Sequence, residues 1–290
     1  MHDVPAHELV GRIQEIFPKL RFQRAQLADT GEDHAALILD TRYVFRFPAI
    51  AYRKKFKKEL GLLARLHRRK LPFATPHYEW VAPHKAFGGY RFISGETMVV
   101  AAFRKLSPRE HNRVAQQTAS FLTALHTLAA RAEPRQAPRG VLRPASYGTR
   151  YHDVRRRVIA RVASEQLLRQ MDTFFNIYGR TRSPHKTFIH ADFRDEHIFM
   201  HRGNITGVID FGDARVGDPA FDFSFLFEYG APFVQAVYAA YRGPKDAQFL
   251  ERARTHYLRW IIDELYYAIK NGTHARVRRL KSVLEKSLPR

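Results

Sequence analysis

The first third of the chain alternates short apolar runs with polar or glycine-containing turns. Five of these runs have the length and the flanking Gly, Asp or Pro of β-strands, at residues 21–28, 35–40, 43–47, 75–81 and 89–94. In segment 51–67, leucine and phenylalanine residues recur at helical spacing among basic residues. The pattern predicts a small sheet that carries one amphipathic helix, with another helix at 6–17 before it.

The hydrophobic period changes to that of helices after residue 96. Ser107, Pro108 and Glu110 have the order of an N-cap, a first helical position and a capping box, and an apolar stripe follows. Segment 130–147 is rich in Pro and Arg and is predicted to be a surface connection. A helix at 151–178, short strands at 186–189, 197–200 and 205–209, and further helices complete the pattern. This succession predicts an α+β fold.

The composition allows a sizeable hydrophobic core, because 45% of the 290 residues are hydrophobic. No basic segment followed by an apolar stretch opens the chain, and no run reaches about 18 uninterrupted apolar residues. We therefore expect a cytoplasmic protein without membrane contact. The chain contains no cysteine, which excludes disulfides, thiolate metal ligands and cysteine nucleophiles.

The net charge is strongly positive, since 49 Lys and Arg residues stand against 28 Asp and Glu residues and give +21. Such a surface attracts phosphate groups in general. The basic clusters lie mostly in helical patterns and lack the interleaved aromatic residues of single-strand binders. Dedicated nucleic-acid binding is therefore not expected, and the sequence does not indicate an oligomeric state.

One segment concentrates ionisable residues around two predicted strands. His190, Asp192 and His197 follow an apolar run, and Asp210 stands at the end of the next hairpin, before Phe-Gly. Phosphoryl transfer requires a carboxylate facing the acceptor hydroxyl and two ligands for the metal on the nucleotide phosphates. The pattern predicts the core of a phosphotransferase.

Segment 190–222 resembles the aminoglycoside phosphotransferase family, whose members are related to protein kinases, and it is most similar to the aminoglycoside 2''-phosphotransferase branch. The run 207–222, Gly-Val-Ile-Asp-Phe-Gly-Asp-Ala-Arg-Val-Gly-Asp-Pro-Ala-Phe-Asp, matches the family's second metal motif and its Gly-Asp-Pro-x-x-Asp element. The resemblance implies a two-lobed protein-kinase-like fold. A small antiparallel sheet lobe at 1–95 would bind nucleotide, and a larger helical lobe at 96–290 would carry the catalytic loop, metal site and acceptor site.

By this resemblance Asp192 is the catalytic base or orients the acceptor hydroxyl, while His197 and Asp210 bind Mg²⁺. Arg194 stands where many protein kinases place a lysine near the transferred phosphate. We expect His190 to brace the loop through hydrogen bonds. The alternative for His197 is a structural histidine, because Mg²⁺ prefers oxygen ligands.

In the N-terminal lobe, the resemblance implies that Arg46 replaces the strand lysine on the nucleotide phosphates, with Glu59 as its partner. A planar guanidinium differs from an ammonium in reach, and a purely structural Arg46–Glu59 pair is the alternative. Gly31 lies in the turn expected to cover the phosphates. The main chain of Phe92 and Ile93 corresponds to the hinge that binds the purine, so the implied co-substrate is ATP or GTP with Mg²⁺.

The resemblance also implies an acceptor site in the catalytic loop and the later helices. The candidates are acidic or aromatic: Asp195, Glu196, Glu228, Trp260, Asp263 and Glu264. Aminoglycosides are polycations, and a chain of charge +21 does not obviously supply the carboxylates to bind them. An ordinary amphipathic helix is the alternative interpretation of the last three residues.

The sequence thus predicts a phosphotransferase that moves the γ-phosphate of ATP or GTP to a hydroxyl of a small molecule, an aminoglycoside or another hydroxylated metabolite. Two alternatives stay open. One is a nucleotide-binding protein without turnover, suggested by Arg46 and by a predicted phosphate loop with a single glycine. The other is a metal-dependent hydrolase built from His190, Asp192, His197 and Asp210.

Overall fold

A computed structural model of the chain describes residues 4–28, 34–69, 71–128, 155 and 159–289. These residues form two compact units. The first unit lies within Met1–Leu125, His190–Ala214 and Gln235–Tyr241, and the second within His126–Ile189, Arg215–Val234 and Arg242–Arg290. The lobe boundary at residue 95 stays a prediction.

The first unit contains a five-stranded antiparallel sheet in the order β1-β2-β3-β5-β4. The strands are β1 (Ala25–Leu27), β2 (His34–Leu39), β3 (Tyr43–Pro48), β4 (Tyr78–Val81) and β5 (Gly88–Arg91). Leu37, Leu39 and Phe45 are fully buried on this sheet, where α1 (Ala6–Ile16) adds Leu9 and Ile13 to the same core. All five predicted strands are present, although β5 ends three residues before its predicted end.

The predicted amphipathic helix is α2 (Arg53–Leu66). It buries its large apolar residues together with Glu59 and leaves its basic residues exposed or half-buried. The ring of Phe56 lies 5.5 Å from that of Tyr78 on β4. This packing fixes the helix against the sheet and places its first turn near the segment that carries Asp210.

A second sheet of the first unit has the order β6-β8-β9, formed by β6 (Glu96–Thr97), β8 (Ile198–His201) and β9 (Asn204–Val208). The β8–β9 hairpin is the one predicted between His197 and Asp210. Helices α3 (Val100–Phe103) and α4 (Pro108–His126) follow β6. The predicted capping box is confirmed: Glu110 accepts from the main-chain N–H of Ser107 at 2.8 Å and from its hydroxyl at 2.6 Å.

In the second unit, β7 (Thr187–Ile189) pairs with β10 (Arg215–Gly217). Among the described residues this unit also contains α5 (Glu165–Arg180), the first residues of α6 (Ala231–Ala240), α7 (Phe249–Lys270) and α8 (His274–Ser287). Helices α5, α7 and α8 share one apolar core that includes Leu167, Leu265 and Leu284. No helix of the described ranges is long and apolar enough to cross a membrane. The predicted connection at 130–147 lies outside the described residues.

Candidate active site

A cleft of about 1070 Å³ in the first unit brings together most of the residues that the sequence motif singled out. Its lining includes the predicted catalytic, metal-binding and nucleotide-binding residues Arg46, Phe92, Ile93, Asp192, Arg194, His197 and Asp210, and the predicted acceptor residue Glu196. Glu59 is buried behind Arg46. Gly31 lies outside the described residues.

The buried side chain of His190 fixes the loop that carries Asp192 through two hydrogen bonds. Nε2 of His190 donates to the main-chain oxygen of Ile209 at 2.9 Å, and its Nδ1 accepts from the main-chain N–H of Asp192 at 3.3 Å. Ala191 between them has a φ of 67°, a conformation that side chains rarely adopt. The predicted bracing by His190 is therefore present.

The ring of His197 is oriented by the main chain. Its Nδ1 lies 2.8 Å from the main-chain oxygen of Asp192, and because a carbonyl only accepts, Nδ1 carries the proton. Nε2 lies on the other side of the ring, 3.7 Å from Oδ2 of Asp210, and in the neutral ring it carries the lone pair. This arrangement presents a nitrogen and a carboxylate oxygen side by side, as metal-binding histidines do when a second group fixes their tautomer.

Asp210 ends the β9 segment in a left-handed conformation, with φ 61°. Its Oδ1 accepts from the main-chain N–H two residues later at 3.3 Å. Burial would raise the pKa of Asp210, but the positive charge of Arg46 contributes most to holding it well below its ordinary value. The carboxylate is therefore charged over the whole physiological range.

Asp192 behaves in the opposite way. Burial raises the pKa of this carboxyl, and the attraction of His197 and Arg194 does not fully offset that effect. A carboxylate with a raised pKa is a better proton acceptor than an exposed one. Nε of Arg194 lies 3.5 Å from Asp192, and its Nη2 pairs with Glu196 at 2.7 Å, so the predicted arginine is beside the candidate base.

Arg46 contacts four side chains of the first unit. Its Nη1 donates to Glu59 at 2.6 Å and lies 3.4 Å from the Tyr78 hydroxyl. Its Nη2 donates to Nδ1 of His34 at 3.2 Å and reaches Asp210 at 3.4 Å. Burial disfavours the charged guanidinium, yet Glu59 and its neighbours raise the pKa of Arg46 well above its ordinary value. The Arg46–Glu59 pair is present, and its role toward nucleotide stays a prediction.

The predicted hinge follows β5. The main-chain N–H of Phe92 donates to the main-chain oxygen of Arg42 at 2.8 Å, so the sheet already uses it. By contrast, no residue in the described part of the chain hydrogen-bonds to the main-chain N–H or C=O of Ile93. Of the two predicted contacts, Ile93 has the main-chain groups that a purine edge would need.

The sequence pattern did not predict a site role for His34 or Lys55, and both line the cleft. Burial and the adjacent Arg46 lower the pKa of His34 to about 3, so this ring is neutral. Nζ of Lys55, in the first turn of α2, lies 3.0 Å from Oδ2 of Asp213. A signal existed for Lys55, because it stands one helical turn before Glu59.

Residues 25–265 match the sequence model of the phosphotransferase enzyme family. The chain belongs to this family. The match covers most of the chain and includes the sheet, the catalytic segment and most of α7. The prediction of an enzyme, a phosphotransferase with an alcohol group as acceptor, is confirmed. A family of phosphotransferases disfavours both alternatives, the binding protein without turnover and the hydrolase.

Solved structures of such enzymes share the fold. Aminoglycoside 2''-phosphotransferase IIIa with GDP and kanamycin is 21% identical with a TM-score of 0.81, over 97% of this chain and 98% of that chain. The IIa enzyme with streptomycin and ATP is 21% identical with a TM-score of 0.71, over 91% of each chain. Macrolide 2'-phosphotransferase type I is 20% identical with a TM-score of 0.71, over 97% and 98%. The predicted kinase-like α+β fold is confirmed.

The donor set of the phosphotransferase fits a nucleotide-bound metal better than a metal held by protein alone. Among the described residues, no three His, Asp or Glu side chains form a metal-binding group. Mg²⁺ is commonly held by one or two protein ligands together with substrate phosphates. Asp210, which is charged, and His197, whose Nδ1 is held by the main chain so that Nε2 faces Asp210, supply two such ligands.

The predicted acceptor residues fall in both units. Asp195 and Glu196 belong to the first, whereas Glu228, Trp260, Asp263 and Glu264 belong to the second. In the second unit each acid contacts a neighbour: Glu228 accepts from the Tyr257 hydroxyl at 2.6 Å, Asp263 pairs with Arg259 at 2.8 Å, and Glu264 pairs with Arg276. The Trp260 ring packs 5.3 Å from Phe225. These contacts are those of an ordinary amphipathic helix.

Two further acids of the motif stabilise the second unit. Asp218 accepts from the main-chain N–H of Ala220 at 3.1 Å and pairs with Arg252 at 2.8 Å. Asp222 lies 3.0 Å from Nε2 of His126, and both side chains are completely buried. Both acids thus cap or fix local structure.

Proposed function

We propose that this phosphotransferase moves the γ-phosphate of ATP or GTP to a hydroxyl of a small molecule, in the cytoplasm and with Mg²⁺. One observation carries the proposal: the candidate base and the two candidate metal ligands meet in one cleft. His197 joins them, with Nδ1 at 2.8 Å from the main-chain oxygen of Asp192 and Nε2 at 3.7 Å from Asp210.

Asp210 and His197 would hold Mg²⁺. When bound, the ion neutralises charge on the phosphates of the nucleotide. The low pKa of Asp210 keeps its carboxylate charged for this purpose, and the hydrogen bond at Nδ1 keeps His197 Nε2 available. Asp210 therefore needs no change of protonation before it binds the ion.

Asp192 would orient the acceptor hydroxyl and take its proton. The acceptor oxygen forms a bond to the γ-phosphorus, the bond between that phosphorus and the bridging oxygen breaks, and a nucleoside diphosphate leaves. The proton of the hydroxyl passes to the Asp192 carboxylate. Burial raises the pKa of Asp192, which supports this role because the group accepts a proton more readily.

The nucleotide would lie with its base at the hinge and its phosphates toward Asp210. The unused main-chain groups of Ile93 suit a purine edge. Arg46 and Lys55 supply positive charge on the same wall, and a cleft of about 1070 Å³ is large enough for a nucleotide. These features do not distinguish ATP from GTP.

For the acceptor, we propose a small hydroxylated molecule of low positive charge. Similar structures contain kanamycin or streptomycin, which belong to the polycationic aminoglycosides. In this chain Glu196 pairs with Arg194, and the acids Asp263 and Glu264 pair with arginines. A polycation would have to displace these ion pairs, whereas a neutral polyol would not.

A substrate screen tests the proposal. Purified protein with Mg²⁺ and either ATP or GTP is incubated with aminoglycosides, macrolides, sugars and amino alcohols, and added phosphate is detected by mass spectrometry. We expect a phosphorylated product from at least one acceptor, and none with Asp192→Asn. Release of free phosphate without any phosphorylated acceptor would instead support hydrolysis.

A further inference from the structure

We infer that Lys55 on α2, and not Arg46 on β3, is the cation that directly contacts the nucleotide phosphates. The inference rests on the proposed function and identifies a phosphate-binding residue within the same cleft. In this assignment Arg46 is a positioning residue that holds the metal-binding carboxylate of Asp210.

Most N–H groups of the Arg46 guanidinium already contact protein side chains and are not available to a phosphate. Four of its N–H groups face partners: Glu59 and Tyr78 at Nη1, His34 and Asp210 at Nη2. Its Nε is buried without a hydrogen-bond partner among the described residues, and only 9% of the side chain is exposed. A phosphate could reach Arg46 only by breaking one of these contacts in a buried site, which is costly.

The side chain of Lys55 is more accessible from the cleft than that of Arg46. Its side chain is 28% exposed and lines the cleft, and its ammonium group pairs with Asp213, which is 50% exposed. An ion pair with that exposure contributes little free energy. Phosphate oxygens can therefore share the Lys55 ammonium group with Asp213.

Gly212 lets Lys55 pass close to the metal-binding loop. A Cβ atom added at Gly212 would lie 2.6 Å from Cε of Lys55 and 3.2 Å from Oδ1 of Asp210. The aliphatic stem of Lys55 thus crosses directly over the main chain that carries Asp210. Its ammonium group ends beside the place where the metal-bound phosphates are proposed to lie.

Helix stability does not account for this lysine. The first turn of α2 contains Arg53, Lys54 and Lys55 and no acidic residue, although cations are unfavourable at a helix N-terminus. A bound anion would offset that unfavourable charge. A phosphate-binding role gives Lys55 a physical reason to occupy its position.

Calorimetric titration of the full-length protein with ATP, ADP and AMP, and with the guanine series, tests the inference at saturating Mg²⁺. Lys55→Met is compared with Lys54→Met, which removes the same charge from an exposed neighbour. We expect Lys55→Met to weaken triphosphate binding roughly ten- to hundredfold, the equivalent of one charge-assisted hydrogen bond. AMP binding should change little, and Lys54→Met should resemble the wild type.

Gly212→Ala gives an independent arm. The added methyl group meets mainly the flexible end of Lys55, so the variant should fold and lose part of the same triphosphate affinity. Unchanged ATP and GTP affinity in Lys55→Met and Gly212→Ala would overturn the assignment of Lys55. Absence of nucleotide binding by the wild-type protein would instead refute the proposed function, so the two failures are distinguishable.

Discussion

Nδ1 of His197 donates a hydrogen bond to the main-chain oxygen of Asp192, 2.8 Å away. The candidate metal ligand and the candidate base are therefore connected through the backbone of one loop. A change in that loop would alter the tautomer and direction of His197 together with the position of Asp192. Experiments can therefore separate metal binding by His197 from the base role of Asp192 only with substitutions that leave the loop intact.

The nitrogen ligand should affect the choice of metal. Imidazole binds transition metals such as Mn²⁺ better than Mg²⁺, whereas an amide oxygen suits Mg²⁺. We expect His197→Asn to shift the ratio of half-saturating Mg²⁺ and Mn²⁺ concentrations severalfold in favour of Mg²⁺, measured from initial rates. His201→Asn, an exposed position on the following strand, is the control. Equal ratios in all three proteins would show that His197 does not bind the metal.

The rate should depend on the ionisation of Asp192. Only the charged carboxylate accepts a proton, and burial raises the pKa of this group. We expect kcat/KM to fall on acidification at a higher pH than an ordinary aspartate would give. Asp192→Asn should lower kcat by about 10² to 10⁴ and remove this acidic limb. Calorimetry should show unchanged nucleotide binding; lost binding would assign Asp192 to the nucleotide site instead.

Arg46→Lys should change the metal requirement. A single ammonium group cannot contact both Glu59 and Asp210 as the guanidinium does. We expect the half-saturating Mg²⁺ concentration to rise by about tenfold, roughly the cost of one charge-assisted hydrogen bond. Nucleotide affinity at saturating Mg²⁺ should change much less. The control is Arg42→Lys, an exposed position in the turn before β3; equal effects of the two substitutions would contradict a positioning role.

Arg252 should be essential for the stability of the second unit. Its side chain is only 2% exposed and pairs with Asp218 at 2.8 Å and with Asp246 at 2.6 Å. Arg252→Met removes the buried guanidinium that pairs with Asp218 and Asp246, so the free energy of unfolding should fall by roughly 3 kcal/mol. Chemical denaturation measures this fall, with the exposed Arg254→Met as control; equal losses would contradict the role of the pair.

The loss of unfolding free energy caused by Arg252→Met should depend on pH, because Asp218 belongs to the same network. Burial opposes ionisation of Asp218, but hydrogen bonds from His256 and Arg252 hold its pKa well below its ordinary value. A lowered pKa contributes stability above the ordinary aspartate range, and that stability is lost as the pH falls through the lowered value. The destabilisation by Arg252→Met should therefore shrink in strong acid. A constant difference across this range would show that Asp218 is not the group responsible.

The sequence alone was sufficient to predict that site residues close together along the chain would form one group. His190, Asp192 and His197 share one loop, and Asp210 follows one hairpin later, so their spacing alone predicted their meeting. Lys55 was not predicted, because it lies 158 positions from Asp213. Only the packing of α2 on the loop brings those two residues together.

Main-chain hydrogen bonds and ion pairs between residues far apart in sequence explain the remaining differences between the predicted site and the structure. The pattern could not separate Phe92 from Ile93, since the distinction depends on the bond between the Phe92 N–H and the Arg42 carbonyl. The same holds for Glu264, whose partner Arg276 lies on the following helix. Composition counts charges but does not say which of them are already paired.

Asp210 has a left-handed backbone, with φ 61°. Asp and Asn tolerate that conformation better than other residues with a side chain, and longer acidic residues do not share the advantage. Each simple replacement at this position therefore loses something: Asn removes the charge, Gly removes the ligand, and Glu is less suited to the backbone.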